Sequence, residues 1–287
     1  MKLVTWNIQW GRGIDGRVDL ARIVATARAL ADFDVLCVQE VADNFPAPGL
    51  EGNDDRDEFA ELAKLLPGYT SVLGYGVDLL GDDGRRRRFG NAIFSRYTVL
   101  SARRHAMPWP ADASVDTMPR VAVEATVEAS MGAIRITTTH LEYYSDVQRQ
   151  AQAKRLRELH EEACERATRP PPAAREGGPF DPTPQTAFAI LAGDFNFPPE
   201  NRAYDEIQKP LAEGLPRYRD AWPILNGHQP HTPTFCVHQH KYSRTPYCCD
   251  FVFVSEPLAQ RLRFMGVDSA TQASDHQPVL VEIDDLG

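Results

Sequence analysis

Phe188-Ala189-Ile190-Leu191-Ala192-Gly193-Asp194-Phe195-Asn196 is a short apolar run that ends in a carboxylate and an amide. A run of this length, closed by turn-forming residues, reads as a buried β-strand rather than a helix. The same pattern recurs outward along the chain. Leu3-Val4-Thr5-Trp6 leads into Asn7, Val35 to Gln39 leads into Glu40, and Ile134 to Thr139 leads into His140. Ala92 to Phe94, Val121 to Val127, Phe251 to Val254 and Val279 to Ile283 complete the predicted strands, several rich in Val, Ile, Thr and Phe. Two of these carry their polar residues in front: Asp250 precedes Phe251, and Asp275-His276 precede Pro278-Val279. In a mixed or antiparallel sheet the C-terminal ends of some strands emerge beside the N-terminal ends of others, so all of these polar residues can meet at one rim.

Helices fill the gaps. Leu20, Ile23, Val24, Ala27 and Leu30 form an i, i+3, i+4, i+7 stripe that predicts an amphipathic helix lying on a sheet. Phe59, Leu62, Ala63 and Leu66 predict another, stopped by Pro67-Gly68. A longer helix is expected to start at Ser145, with Gln148 placed for a capping box, to run to about Arg166 and to end at Pro170-Pro171-Pro172. The Pro- and Gly-rich stretch from Arg169 to Gln185 resembles a linker, yet related strand-and-polar patterns lie on both sides of it. It is read as a surface loop, and residues 1–287 as a single domain.

Composition narrows the function. With 43% hydrophobic and 25% charged residues the chain has the makings of an ordinary packed core. A net charge of −9 argues against coating nucleic acid through a broad basic face, though a small metal-assisted phosphate site is compatible with it. Cys37, Cys164, Cys236, Cys248 and Cys249 are odd in number and scattered, which is no disulfide framework. With no secretory leader pattern and no long apolar run, the expectation is a cytoplasmic protein with no membrane insertion. No protein partner is evident.

Thr5-Trp6-Asn7-Ile8, Val38-Gln39-Glu40-Val41, Thr139-His140-Leu141, Gly193-Asp194-Phe195-Asn196 and Ser274-Asp275-His276 together resemble the ordered motifs of the endonuclease/exonuclease/phosphatase superfamily, which includes deoxyribonuclease-like enzymes. Each motif is weak alone; five in order across the chain are not. Gly90-Asn91-Ala92-Ile93-Phe94-Ser95-Arg96 and Asp250-Phe251-Val252-Phe253 also look like family segments, the latter with Phe251 where Tyr is commoner. The resemblance implies a four-layered α/β sandwich, two mixed β-sheets packed face to face with helices outside, and metal-dependent hydrolysis of phosphate esters. It implies phosphate contacts for Asn91, and it places His140 where relatives carry His or Tyr, beside the leaving oxygen.

The chemistry asks for the same residues. A phosphodiester is anionic and repels hydroxide, so its hydrolysis needs charge neutralisation, a positioned water and help for the leaving oxygen. Glu40 is a hard oxygen ligand suited to Mg²⁺ or Mn²⁺, with Asn7 and Asp275 near the metal. Asp194 is the candidate to orient or deprotonate water, and Asn196 can donate to a phosphate oxygen, which Asn7 and His276 also approach. Asp250 is the natural partner to orient His276 and favour its imidazolium. Which group is base and which is acid stays open.

Blander readings stand beside these. A single Asp or Asn at a strand end is usually a turn former or cap, and a single His is often a satisfied core residue; only their conjunction favours catalysis. Gln39, Arg149, Gln152 and Asp220 are read as supporting residues. Arg85-Arg86-Arg87-Arg88 is read as a solvated loop before a phosphate grip. The histidines and cysteines from His228 to Cys249 fit no zinc-finger spacing. Trp10, Trp109, Tyr143 and Tyr144 are as suited to stacking a base or lining an apolar pocket as to a core. The leading expectation is a nuclease-like phosphodiesterase acting on nucleic acid. Phospholipid or a small phosphate ester is the alternative, and a non-catalytic binding module a distant third.

Overall fold

The computed structural model describes residues 1–170 and 177–284. Pro171 and Pro172, expected to help end the long helix, lie outside these residues. In chain order the elements are β1 (Lys2–Asn7), α1 (Leu20–Leu30), β2 (Val35–Asp43), α2 (Glu58–Leu65), β3 (Thr70–Leu80), β4 (Arg86–Ser95), β5 (Val99–Ala106), β6 (Val121–Ala129) and β7 (Gly132–His140). There follow α3 (Asp146–Thr168), β8 (Ala189–Asp194), α4 (Arg202–Gln208), β9 (Tyr218–Asp220), α5 (Ala221–Asn226), β10 (Asp250–Ser255), α6 (Glu256–Ala259), β11 (Leu262–Val267) and β12 (Val279–Ile283). They form two six-stranded mixed sheets, ordered β11-β12-β1-β2-β4-β3 and β5-β6-β7-β8-β10-β9.

Strand alternation builds the layers. Leu3, Val35, Cys37 and Ile93 of the first sheet face Val123, Ile136, Ile190 and Val252 of the second in the central core. The intervening residues Val4, Trp6, Leu36 and Val38 turn outward, where Ile23 and Val24 of α1 and Phe59 and Leu62 of α2 cover them. Leu191, Phe251 and Phe253 are covered in the same way by Ala153 and Leu156 of α3 and Ala203 of α4. The four-layered sandwich is the expected one. No helix among the described residues is long and apolar enough to cross a membrane, and all five cysteines are free thiols.

Topology brings the polar ends together. β1 runs parallel to β2 and β7 parallel to β8, while β12 and β10 run antiparallel to β1 and β8. Asn7, Glu40, His140 and Asp194 therefore leave the sandwich on the side from which Asp250 and Asp275-His276 enter it.

β3, β5, β9 and β11 are not among the strands the sequence predicts. β5 alternates between half-buried and exposed at the edge of its sheet and carries Arg103, Arg104 and His105, which mute its apolar signal. β3 contains Gly74 and Gly76 and ends exposed. β2 runs past Glu40 to Asp43 across a register shift between Val38 and Val41. Helix α3 starts as expected, with Ser145 Oγ accepting from the Gln148 amide at 3.3 Å. Its capping box is only half formed, because the Gln148 side chain donates to Pro110 O and Thr117 Oγ1 instead.

α3 docks partly through buried polar groups. Arg135 on β7 reaches Glu124 on β6 at 3.3 Å and His160 on α3, and His160 stacks on Tyr218 with ring centroids 3.9 Å apart. Burial opposes ionisation of Glu124, but hydrogen bonding from His105 and the Arg135 charge outweigh it and hold its carboxyl at about 2, against 4.5 ordinarily. A depressed carboxyl stabilises the fold above its unfolded pKa, and the contribution is lost as pH falls through the folded value. Glu124→Gln is expected to cost about 3 kcal/mol at pH 7. In chemical denaturation at stepped pH, the gap from wild type should begin to close below pH ~4.5 and vanish near pH ~2.

Candidate active site

Glu40, His140, Asp194, Asn196, Asp275 and His276 meet at the floor of one cavity with Asn7 buried behind them; Glu40 is held by a bulge inside β2 and the others by strand ends or the turns next to them. Asn7 is fully buried, and its Nδ2 donates both to Glu40 Oε1 at 3.0 Å and to Asp194 Oδ2 at 2.9 Å. Its Oδ1 accepts from the Gln9 amide at 3.0 Å. Gln9 in turn donates through Nε2 to Asp275 Oδ2 at 2.8 Å, and Ser274 Oγ donates to Asn7 O at 2.8 Å. The Asn7 side chain thus ties β2 to β8, while its main-chain carbonyl and Gln9 bring in the turn before β12.

Glu40 sits in the β2 bulge with φ of 59°, and Asn196 has φ of 53°. Left-handed backbone at a residue other than glycine is costly and concentrates where geometry is functional. Gly193 is obligatory for a different reason: a Cβ there would lie 2.0 Å from Thr139 O, so only glycine lets β8 approach β7 this closely.

Asp194 and Asp250 are direct cross-strand partners, two carboxylates facing each other where like charges repel. His276 separates them, with Nδ1 2.9 Å from Asp250 Oδ2 and Nε2 3.6 Å from Asp194 Oδ2. Burial disfavours its charge, but the Asp250 and Asp194 carboxylates more than compensate and hold His276 well above the usual histidine range. The balance favours the imidazolium although the ring is buried. Its ring is fixed further by Phe235, 4.4 Å away between centroids, and by Trp6 Nε1, which donates to His276 O at 2.9 Å. Asp250 accepts from Thr234 Oγ1 at 2.6 Å and takes no place in the cavity lining, so it acts through His276.

His140 is the opposite case. Burial first, then the charges of Arg120 and His276, push it well below the usual range, so it is a neutral imidazole. Its Nε2 lies 2.9 Å from Asn196 Nδ2, which also donates to Leu141 O at 2.9 Å. The carboxylates are pushed upward: Glu40 to about 7 by burial and the nearby Asp275 charge, Asp275 itself by burial, and Asp194 to about 6 by burial despite His276. Among the described residues no lysine or arginine pairs with any of the three.

Asn91 stands apart. Its Nδ2 donates to Val121 O at 2.8 Å and it does not line the main cavity. The supporting residues behave as such: Gln39 bonds Thr138 of the facing sheet, while Gln152 and Arg149 hold the backbone of Glu142 and Tyr143. Asp220 caps α5 and accepts from Tyr204. Arg85, Arg86, Arg87 and Arg88 lie on or next to the start of β4 and pair with Asp55, Asp78, Asp82 and Asp43.

Sequence reasoning overlooked Arg120, Gln9, Thr234 and Phe235. Arg120 lines the cavity, and its Nε and Nη2 each sit 3.2 Å from Glu142 Oε2, while its buried Nη1 has no partner among the described residues. It immediately precedes β6, so the rule that singled out Asp250, a polar residue in front of an apolar run, points to it as well.

Hard oxygen donors at Glu40 and Asp275, in a cluster whose burial resists its own negative charge, fit a divalent cation such as Mg²⁺ or Mn²⁺. Asp194, Cys249 and His276 also present donor atoms within 4.8 Å of one another. That set is poorer: the Cys249 thiol is fully buried behind the cavity, burial pushes it well above the usual thiol range, and His276 Nδ1 is committed to Asp250.

A two-sheet sandwich with carboxylates and imidazoles gathered on one rim defines the class of protein, and the sequence agrees. The chain matches the model of the Endonuclease/Exonuclease/phosphatase family over residues 4–276 and belongs to that family. No curated protein sequence matches it significantly. Among solved structures it resembles an endonuclease/exonuclease/phosphatase from Beutenbergia cavernae (TM-score 0.65, 22% identity, 98% of this chain and 70% of the other). It also resembles a mannosyl-6-phosphatase from Bacteroides thetaiotaomicron (TM-score 0.64, 20% identity, 99% of both chains). A third is a 3′ phosphatase from Neisseria bound to a product DNA hairpin (TM-score 0.58, 19% identity, 99% of both chains). These likenesses establish the shared fold.

Removing the Asp250 charge should release His276. In Asp250→Asn, histidine NMR of the metal-free protein is expected to show the His276 ring titrating more than about one unit lower than in wild type. An unchanged titration would mean that Asp194 alone holds the proton.

Proposed function

We propose that the protein is a metal-dependent phosphodiesterase, with residues 1–287 acting as one catalytic domain. The observation that carries this reading is the convergence of the buried Asp194 and Asp275 and the half-buried Glu40 on one cavity floor, with no lysine or arginine among the described residues paired to any of them. Glu40 and Asp275 would hold Mg²⁺ or Mn²⁺, with Asn7 steadying Glu40; the ion would supply Lewis-acid charge to the phosphate. Asp194, its carboxyl raised by burial but held against that by the His276 charge, serves as the base that orients and deprotonates the attacking water through Oδ2. The His276 imidazolium, kept charged by Asp250, donates from Nε2 to a phosphate oxygen and offsets the charge that grows there. Asn196 turns its second amide hydrogen from His140 to the phosphate. His140, released from that bond, is placed beside the leaving oxygen.

Nuclease-like action on a single nucleic-acid strand is the second reading. The observation in its favour is the aromatic edge of the cavity, Trp10, Tyr143 and Tyr144, on which a base can stack.

Hydrolysis of bis(p-nitrophenyl) phosphate with Mg²⁺, with Mn²⁺ and with EDTA tests the proposal. Turnover should require metal, and Glu40→Ala and Asp194→Ala should each lower kcat by about 10³-fold or more. Mg²⁺ should raise the melting temperature of wild type but not of Glu40→Ala. Metal-independent turnover, or turnover indifferent to both substitutions, would overturn the assignment.

A further inference from the structure

The cavity that ends on Asp194 and His276 holds about 460 Å³, and its floor and side wall differ in chemistry. The floor is polar. The side wall forms where β2, β3 and β4 run beyond the catalytic rim as a three-stranded extension. Val77 stands opposite Phe89 in that register, and Leu79 follows two residues on along the same face. Phe45, Leu50 and Met118 pack against this pair, forming a hydrophobic cluster separate from the three that build the sandwich. Leu79, Tyr144 and Tyr242, which also line the cavity, remain 55%, 60% and 43% exposed, so the apolar surface reaches the mouth instead of closing into core. Apolar walls left open to water beside a few convergent polar groups mark a ligand site.

Charge decides what kind of ligand. Arg120 is the one arginine or lysine lining the cavity among the described residues, and its charge is matched by Glu142 at 3.2 Å. The arginines of the β3–β4 hairpin are likewise paired with aspartates. Arg87, opposite Leu79, is paired with Asp82, and Lys241, over the Tyr242 ring, with Glu51, so among the described residues a strand of phosphates or a polyphosphate would meet along this wall only arginines and lysines already matched by carboxylates, on a chain of net charge −9.

We propose that the side wall receives the organic half of the substrate and that this half is hydrophobic and uncharged. The preferred substrate is a phosphate ester with one phosphate and an alkyl or aryl group long enough to reach Val77 and Phe89. The phosphate's position on the floor rests on the phosphodiesterase reading above.

The test separates binding from turnover. Methylphosphonate, hexylphosphonate and 6-phosphonohexanoate are titrated calorimetrically into the full chain in Mg²⁺. Each buried methylene is worth roughly 3- to 4-fold in affinity, so hexylphosphonate should bind at least about tenfold tighter than methylphosphonate even if half the chain is covered. The terminal carboxylate should erase that gain. Leu50→Asp and Leu79→Asp should each bring the hexyl-to-methyl ratio towards one, and the wild-type series decides the question by itself should either variant fold poorly. Hydrolysis of p-nitrophenyl hexyl phosphate, p-nitrophenyl methyl phosphate and a single-stranded oligonucleotide is followed in parallel. A higher kcat/KM for the hexyl ester supports the proposal. Metal-dependent turnover with no dependence on chain length, or a preference for the oligonucleotide, overturns it and leaves the phosphodiesterase reading standing. Chain-length-dependent binding with no turnover of any ester overturns the phosphodiesterase reading and supports the hydrophobic wall.

Discussion

Asn7 Nδ2 lies between Glu40 Oε1 and Asp194 Oδ2, 3.0 and 2.9 Å away, and Glu40 and Asp194 belong to different sheets. The site exists only while the two sheets keep one relative position, because a single amide group has just two hydrogens to give and spends both there. Apolar packing between the sheets is non-directional and would tolerate some sliding; this bond does not. Gln39, donating from β2 to Thr138 on β7, repeats the device deeper in the sandwich. Registration of the sheets and registration of the site are one constraint.

The second feature is concentrated like charge. Glu40, Asp194, Asp250 and Asp275 lie close together, all but Glu40 buried, and the fold tolerates this through one imidazolium, several amide donors and the prospect of a bound cation. Such a cluster costs stability, and perturbed carboxylates of this kind concentrate at functional sites. The same region holds the left-handed backbone of Glu40 and Asn196 and the close approach at Gly193. Strain, buried charge and tight backbone contact coincide where strand ends meet, while the regular strands beneath supply the rigidity that keeps them there.

Above this floor the molecule changes character. β2, β3 and β4 do not stop at the rim but continue into an extension that carries Val77, Leu79 and Phe89 on one face and whose arginines pair with neighbouring aspartates. Basic residues in sequence are therefore a poor guide to anion binding here. Four consecutive arginines contribute ion pairs that are largely solvent-screened, whereas Arg120, isolated in sequence, reaches the cavity.

The inner strands were legible in the sequence from their apolar runs, the sandwich from the family resemblance, and so were most of the polar residues that the fold gathers at one rim. Buried strands must be apolar, and a polar residue that breaks such a run at its end is visible without any knowledge of neighbours; Asn7, Glu40, His140, Asp194 and Asp275-His276 were legible for that reason, and helices α1, α2 and α3 by their stripes and caps. β3 and β5 were not, since edge strands satisfy polar faces with solvent and lose the alternation that marks them. Tertiary structure alone decided that Asn91 turns to Val121, that the arginine run is paired off, and that Arg120, Thr234 and Phe235 belong to the site. It also decided the protonation of the two imidazoles. His140 and His276 are the same residue type on the same rim, and only three-dimensional distance places Asp250 behind one and Arg120 near the other; electrostatic energy depends on separation in space, which the order of residues along a chain does not specify.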